Sequence, residues 1–467
     1  MEQDSTRQGW RSLLRPEWIP ILAILLGGVL LQSMNVLMLT TVLPSIVGEL
    51  GGVAMLSWPT TAYLACSIVA ASCAGVLATA IGSRTVYCAG VAIFCVGAVL
   101  CSLAPAMGWI VVGRLIQGFG GGLEAAVAYV LVRGTFPEQV WSRTIALMST
   151  SWSMSVLIGP LVGGVFAHFG SWRGAFVATA AVAVILAVSA FFILPSGTAD
   201  RKSPLRVPAG RVALICLAIA ATSAASVVAA PLAKLGLIVA AIVSLVVMLR
   251  LDRSSTTRLL PSDAFSWRTR TGVGLWLALL LCITFSPLQI YVPIFLQRLH
   301  GFDPLSAGFA VASASMAWTI ASLATAGVSV VWPDRLVLTG PTTMALSLAA
   351  IALLAPHTSA SAFLLVPAIA ALGAGIGQCW PFVAHRIMDS AAAGDEVVAA
   401  SSVPTVQQMG FAFGAAIAGL IANASGLSAA IPDKGMANAA FWVPASFVAS
   451  AMLTFLTGLR LRSLRKD

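Results

Sequence analysis

The sequence predicts an all-α polytopic membrane protein, and three observations carry that prediction. Of 467 residues, 59% are hydrophobic and only 9% charged, whereas a soluble domain carries about a quarter charged residues. The apolar residues are gathered in runs long enough to cross a bilayer, which takes roughly 20 residues of helix. The short alternating segments of a membrane barrel are not seen. The third observation is the placement of the basic residues. With both termini cytoplasmic, the cytoplasmic segments collect twenty-one of the 26 Lys and Arg residues; the outer side holds Arg173, Lys234, Arg298 and Lys434, and Arg114 is left inside a span. That asymmetry is a strong positive-inside signal. It also accounts for the net charge of +10 without nucleic acid.

Gly, Pro and charged breaks between the apolar runs mark fourteen helices. They fall at 18–43, 58–80, 84–104, 109–132, 142–168, 173–194, 211–230, 234–250, 271–298, 304–331, 335–355, 361–386, 396–424 and 438–459. The first follows Arg7, Arg11 and Arg15 and is too long for a cleavable signal, so it is expected to be retained. It carries Gln32 and Asn35. The second leads into "GVLATAIGSR", expected as a loop, with Gly75, Gly82 and Arg84. The fourth carries Arg114, Gln117 and Glu124, and the fifth carries Trp152 and "GPLVGG", containing Gly159, Pro160, Gly163 and Gly164. Pro160 can bend that helix, while its glycines allow a close helix approach.

The seventh and eighth helices carry no embedded charge, are joined by a short Pro-Leu-Ala-Lys turn at Pro231, and are flanked by basic loops. The ninth holds Gln289, Tyr291 and Gln297, the twelfth Gln378, and the thirteenth Gln407 and Gln408. The expected organisation is a cytoplasmic tail at 1–17, a six-helix bundle at 18–197, basic loops with two extra helices at 198–270, a second six-helix bundle at 271–459 and a basic tail at 460–467. All eight cysteines fall inside helices without a CxxC pair, and the four histidines stand singly at helix ends, so no metal, disulfide or cofactor is expected.

The two sixes echo each other. "GFGGG" (118–122) is matched by "GAGIG" (373–377), and "GPLVGG" (159–164) by "GAAIAG" (414–419), each 255 residues on. Parallel repeats of this kind mark two-halved secondary transporters, with a site near the bilayer midplane. The motifs are also familiar ones. "GRLIQGFGGG" (113–122), "GPLVGG", "SWRGAFV" (171–177), "YVPIFLQ" (291–297) and "VPTVQQMGFAFGAAIAG" (403–419) resemble the helix-4, helix-5, helix-6, second-half opening and penultimate-helix motifs of the major facilitator superfamily, in its fourteen-helix drug:proton antiporter branch. The resemblance covers nearly the whole chain. It implies two six-helix bundles with two added helices, alternating access and exchange with protons, and it places the helix-4 arginine beside the substrate cavity in proton traffic. Two positions depart from the branch pattern: Asn35 and Thr79 stand where it has aspartates.

Charges inside a span cost roughly 2.5–3.5 kcal/mol each, so they normally face the protein interior and serve a function. Of sixteen acidic residues, Glu124 alone lies deep in a span, and of the basic residues, Arg114 alone does. Arg114, Gln117, Gly121, Glu124 and Ala128 follow spacings that put them on one helix face. That face is expected to line the central cavity. Ten residues separate the two charges, about 15 Å along the axis, which is too far for an ion pair. Glu124 is therefore the candidate to load and release a proton, with Arg114 beside it; for both, a purely structural role remains the alternative. Gln32, Asn35, Gln117, Trp152, Gln289, Tyr291, Gln378 and Gln407 are candidate cavity residues, each with helix packing as its alternative. Gly75, Gly82, Arg84, Gly159, Pro160, Gly163 and Gly164 are candidate gating positions. A membrane enzyme would need companions around Glu124, and a channel would need rings of charge. The expectation is a monomeric, multi-pass transporter of the cell (inner) membrane that exports amphiphilic small molecules by alternating access in exchange for protons. The alternative is an uncoupled facilitator or an importer of one metabolite.

Overall fold

The computed structural model describes residues 13, 15–51, 55, 58–169, 171–196, 208–228, 230–255, 257–302, 304–327, 332–357, 362–426 and 432–464. Among them are fourteen α-helices and no strand. They are α1 Ile19–Leu50, α2 Trp58–Ile81, α3 Ser83–Ser102, α4 Met107–Thr135, α5 Trp141–His168, α6 Trp172–Ile193 and α7 Ala209–Val227. The remainder are α8 Pro231–Arg253, α9 Arg270–His300, α10 Pro304–Thr325, α11 Trp332–Leu354, α12 Ala362–Asp389, α13 Glu396–Ala424 and α14 Pro432–Ser463. Helix is the one open-ended element that satisfies every backbone group inside lipid. Thirteen of the fourteen are long and apolar enough to cross a membrane, while the apolar stretch described in α7 is shorter, Ala209–Thr222.

Several ends differ from the sequence expectation. The first helix was expected to end at Leu43-Pro44, but α1 continues to Leu50. The segment 75–81 is not a loop; it forms the last two turns of α2. A single residue, Gly82, turns the chain into α3, with φ of 87°, a conformation only glycine adopts without strain. Pro231 opens α8 at its first turn and does not belong to the preceding connection. Proline fits that position because its absent N–H would have no partner there. Other helices carry internal prolines, among them Pro287 and Pro293 in α9 and Pro367 and Pro381 in α12.

The chain forms two compact units. The first comprises residues 1–212 with 255–262 and 391–405; the second comprises 213–254, 263–390 and 406–467. Within the first, α4 packs on α2 and α3, α1 on α5, and α3 on α6. Met38, Val42, Ile46, Ile110, Trp172 and Phe176 fill one apolar cluster of that unit. Within the second, α12 packs on α10 and α11, and α14 on α9 and α11. Large apolar side chains are exposed along α6 and α8. A helix that shows apolar residues outward is built to meet lipid.

Candidate substrate and proton site

The glycines of α4 set its depth in the first unit. A Cβ at Gly118 would strike the backbone of Tyr63, at Gly122 that of Ser67, and at Gly120 that of Gly90 and Phe94. α2 and α3 therefore close on α4 at backbone distance, as small residues allow in membrane bundles. Around this contact the polar side chains of α4 are sealed. Arg114 and Gln117 are 0% exposed and Glu124 1%. The face expected to line the central cavity is buried among neighbouring helices in this conformation.

Arg114 sits in a cage drawn from three helices. Its Nη1 donates to Asn35 Oδ1 on α1 and, at 3.0 Å, to Gln117 Oε1. Its Nε donates to the Pro59 carbonyl on α2 at 3.4 Å. The guanidinium carbon lies 4.2 Å over the Tyr63 ring, a cation–π arrangement. Cys101 Sγ approaches Gln117 Oε1 at 3.8 Å. No carboxylate pairs with Arg114 among the described residues. Gln32 adjoins the cage, with its Cγ 3.3 Å from where a Cβ on Gly121 would stand.

Glu124 occupies a different place, between α1, α3 and α4. The Tyr87 hydroxyl lies 3.5 Å from its Oε1 and donates to the Ile24 carbonyl at 2.9 Å. Gly28 makes room for the group, since a Cβ there would overlap the Glu124 carboxyl and the Tyr87 hydroxyl. Glu124 Oε2 has no hydrogen-bond partner. Arg114 and Glu124 therefore have separate surroundings, as their spacing requires.

In the first unit Trp152 is exposed on α5. In the second, Gln378 donates to Thr343 Oγ1 at 3.5 Å and Tyr291 stacks against Phe295. Gln407 is half-buried, and the Gln289 side chain lies outside the described residues. Among the expected gating positions, Gly75 meets the start of α13: its Cβ position is 2.5 Å from Ser401 Oγ and 3.2 Å from Val398 Cα. Thr79 turns its hydroxyl back to the Gly75 carbonyl. The Arg84 guanidinium lies 5.6 Å from the Phe191 ring. Gly159 and Gly163 press on α1, where an added Cβ would stand 3.0 and 2.9 Å from the Met34 and Met38 carbonyls, and Gly164 is looser. The Pro160 side chain is outside the described residues. Near the same corner, Asp395 ahead of α13 accepts from Arg258 Nη1 at 3.3 Å and from the Ser262 backbone at 2.7 Å.

Sequence reading missed Gly28, Tyr63, Tyr87 and the Ser33–Ser155 hydroxyl pair that joins α1 to α5. A signal for the tyrosines existed. The chain has only four, and two of them touch its two embedded charges. Among the described residues no group of three or more His, Cys, Asp or Glu could hold a metal ion.

A polytopic helical protein of two units, with isolated charges buried inside one of them, has the form of a membrane transporter. The sequence profile of the Major Facilitator Superfamily matches residues 25–403. A "probable multidrug-efflux transporter" of Mycobacterium tuberculosis is 33% identical over 434 residues, covering 90% of this chain and 91% of that one. The multidrug transporter protein MdtP of Bacillus subtilis is 26% identical over 398 residues, covering 82% and 71%. Among solved structures, the human organic anion transporter MFSD10 matches with a TM-score of 0.70 at 13% identity, over 95% of this chain and all of that one. At that identity the match speaks for the fold alone. The chain belongs to the Major Facilitator Superfamily. It is a transporter and not an enzyme, and its relatives fit the drug:proton antiporter branch.

Proposed function

We propose that the protein is a secondary active transporter that exports amphiphilic small molecules across the cell membrane by alternating access, in exchange for protons. It works as a monomer with both termini in the cytoplasm, and residues 198–270 are an insertion between its two six-helix bundles. The relatives named as multidrug-efflux transporters support the substrate class. The observation that carries the coupling is Glu124. It is the single carboxylate deep in a span, it sits in a recess that Gly28 leaves open, and one of its oxygens is unpartnered. A proton on Oε2 would give that oxygen a hydrogen to donate, and loss of the proton would leave a lone charge between three helices. The two forms therefore favour different surroundings, which is what couples a proton to a change of conformation.

The test uses inverted membrane vesicles with an imposed pH gradient, and counterflow exchange of labelled substrate in parallel. Glu124→Gln fixes the neutral form. Gradient-driven accumulation should vanish while counterflow persists. Full accumulation by a well-expressed Glu124→Gln would remove Glu124 from coupling. A second reading, an uncoupled facilitator or importer, is favoured by Asn35 and Thr79 in place of the branch's aspartates. It predicts that the unaltered protein equilibrates substrate but never concentrates it.

A further inference from the structure

The cage around Arg114 lacks one thing, an acceptor. Three of its polar atoms are buried with no hydrogen-bond partner, Arg114 Nη2, Asn35 Nδ2 and Gln117 Nε2, while the Tyr63 hydroxyl lies against Gln32. All three can only donate. The amide oxygens of Asn35 and Gln117 are both committed to Arg114 Nη1, which fixes the two amides with their N–H groups unpaired. A buried donor without an acceptor is destabilising, and a buried cation without a counter-charge is more so. The groups packed around the cage from α1, α2 and α3 are Gln32, Tyr63, the Pro59 carbonyl and Cys101. None of these supplies a negative charge, and Glu124 is engaged ten residues away with Tyr87.

We propose that the cage of Arg114, Asn35, Gln117 and Tyr63 binds an anionic group, so that the protein selects amphiphiles bearing a carboxylate over neutral or cationic ones. The inference rests on the transporter reading above and names its substrate class. A carboxylate brings two oxygens, about four acceptor positions and one negative charge. It would answer the orphaned donors and neutralise Arg114 in one step, and its fork geometry suits a guanidinium. A cationic headgroup would meet a like charge and three donors that cannot accept from it. Water could satisfy the donors but would leave the charge unpaired.

Three probes that share one fluorophore test this: dansylglycine (a carboxylate), dansylglycinamide (neutral) and (2-dansylaminoethyl)trimethylammonium (a cation). Binding is titrated by dansyl fluorescence on the full-length protein in lipid nanodiscs, and transport is followed in proteoliposomes. Dansylglycine should bind at least tenfold more tightly than the amide, with the cation weakest. Arg114→Gln should lower dansylglycine affinity at least tenfold and leave the amide within twofold. Asn35→Asp supplies the missing charge from the protein itself; it should weaken dansylglycine and strengthen the cation, which keeps the test open if Arg114→Gln folds poorly. Titrating dansylglycine with and without sodium chloride, in a zwitterionic buffer free of other carboxylates, separates two sources of the anion. Competition by chloride would mean that any small anion fits the cage, and no competition would assign the cage to the substrate's carboxylate. Equal affinity for acid and amide, tightest binding of the cation, or an unchanged acid-to-cation ratio in Asn35→Asp would overturn the proposal. The two readings fail separately. Proton-driven transport of the cation would sink this inference and leave coupled export standing, whereas acid-selective binding without gradient-driven movement would do the reverse.

Discussion

In α4, Gly118 and Gly122 rest on the backbone of Tyr63 and Ser67, and Gly120 rests on Gly90 and Phe94. In α12, 255 residues further on, Gly373 and Gly377 rest on the backbone of Ala314 and Trp318, and Gly375 on Gly340 and Met344. Each helix lies in its own unit, and each uses the same three glycines to meet the same pair of neighbours, second and third in one half, tenth and eleventh in the other. The side chains between the glycines do not match. Where α4 has Arg114, Gln117, Gly121 and Glu124, α12 has Ile369, Leu372, Ile376 and Cys379, all 0% exposed. An apolar face fills this position in the second unit, so packing alone does not require the charges of the first. Their presence on α4 is a choice of chemistry laid over a repeated skeleton.

Moving the chemistry between the two helices breaks this comparison most severely. Ile369→Arg puts a cation into the buried apolar face of α12. It should lose about 2.5–3.5 kcal/mol at insertion and leave an uncompensated charge in the folded unit, so the protein should fail to accumulate in the membrane. The reverse change is Arg114→Ile, Gln117→Leu and Glu124→Cys together. It removes three buried unsatisfied atoms with their side chains, and replacing buried polar groups by apolar ones is often neutral or stabilising by about 1–4 kcal/mol. The melting temperature should hold or rise while transport disappears. If the triple variant unfolds and Ile369→Arg does not, the charges are structural and the comparison has been drawn the wrong way round.

How much of this was legible in the sequence follows from which forces act locally. Helix number and type came from apolar run length, because lipid imposes one solution on the backbone. The repeated glycines were readable because a backbone-to-backbone approach leaves a mark at a fixed interval. The isolation of Arg114 and Glu124 was readable for the same reason, since charges in spans are rare. Their partners were not readable. Asn35 on α1, Tyr63 on α2 and Tyr87 on α3 meet α4 through helix rotation and tilt, which no spacing within one segment encodes. The burial of that α4 face was unreadable on the same ground. Spacing places residues on a side of α4, but only the depth of its contact with α2 and α3 decides whether that side is sealed. α1 runs on through Pro44 to Leu50 because prolines inside membrane helices are tolerated when neighbouring groups satisfy the freed carbonyls.

A smaller effect comes from testing the shared skeleton itself. At Gly120 an added Cβ meets backbone atoms of α3, including Phe94 Cα at 2.9 Å. At Gly375 the nearest atom is Met344 Cγ at 2.6 Å, with the Gly340 carbonyl at 2.9 Å. Over-packing typically costs about 1–3 kcal/mol. A methionine side chain can move aside and a backbone cannot, so Gly120→Ala should lie near the top of that range and Gly375→Ala near the bottom. Thermal unfolding of the two purified variants measures the difference. Equal shifts would show that Met344 is as fixed as backbone and that the two contacts are mechanically the same.

The smallest effect separates the units at their ion pairs. The second unit joins α11 to α12 through Asp334 and Arg386, 2.8 Å apart with side chains 14% and 19% exposed. The first joins the end of α1 to α6 through Glu49, which accepts from Arg173 Nη1 at 2.5 Å and Trp172 Nε1 at 2.6 Å. That pair is open to solvent, its side chains 50% and 36% exposed. Water weakens exposed pairs, and salt screens them. Asp334→Asn should therefore lower the unfolding temperature more than Glu49→Gln. The hydrogen bond from Arg173, and second to it that from Trp172, holds the Glu49 carboxyl below its ordinary value of 4.5. A carboxyl depressed in the folded state contributes stability above its unfolded value and loses it as pH falls through the folded one. The Glu49 contribution should thus be constant from neutral pH down to about 4.5 and fade below that. Unfolding temperature against pH, measured for the unaltered protein and for Glu49→Gln in low salt, should give curves that run parallel above this point and converge beneath it. Curves that stay parallel into acid would mean that Glu49 gives up no stability on protonation, and the α1–α6 corner would then owe its hold to Trp172 packing in the apolar cluster and not to charge.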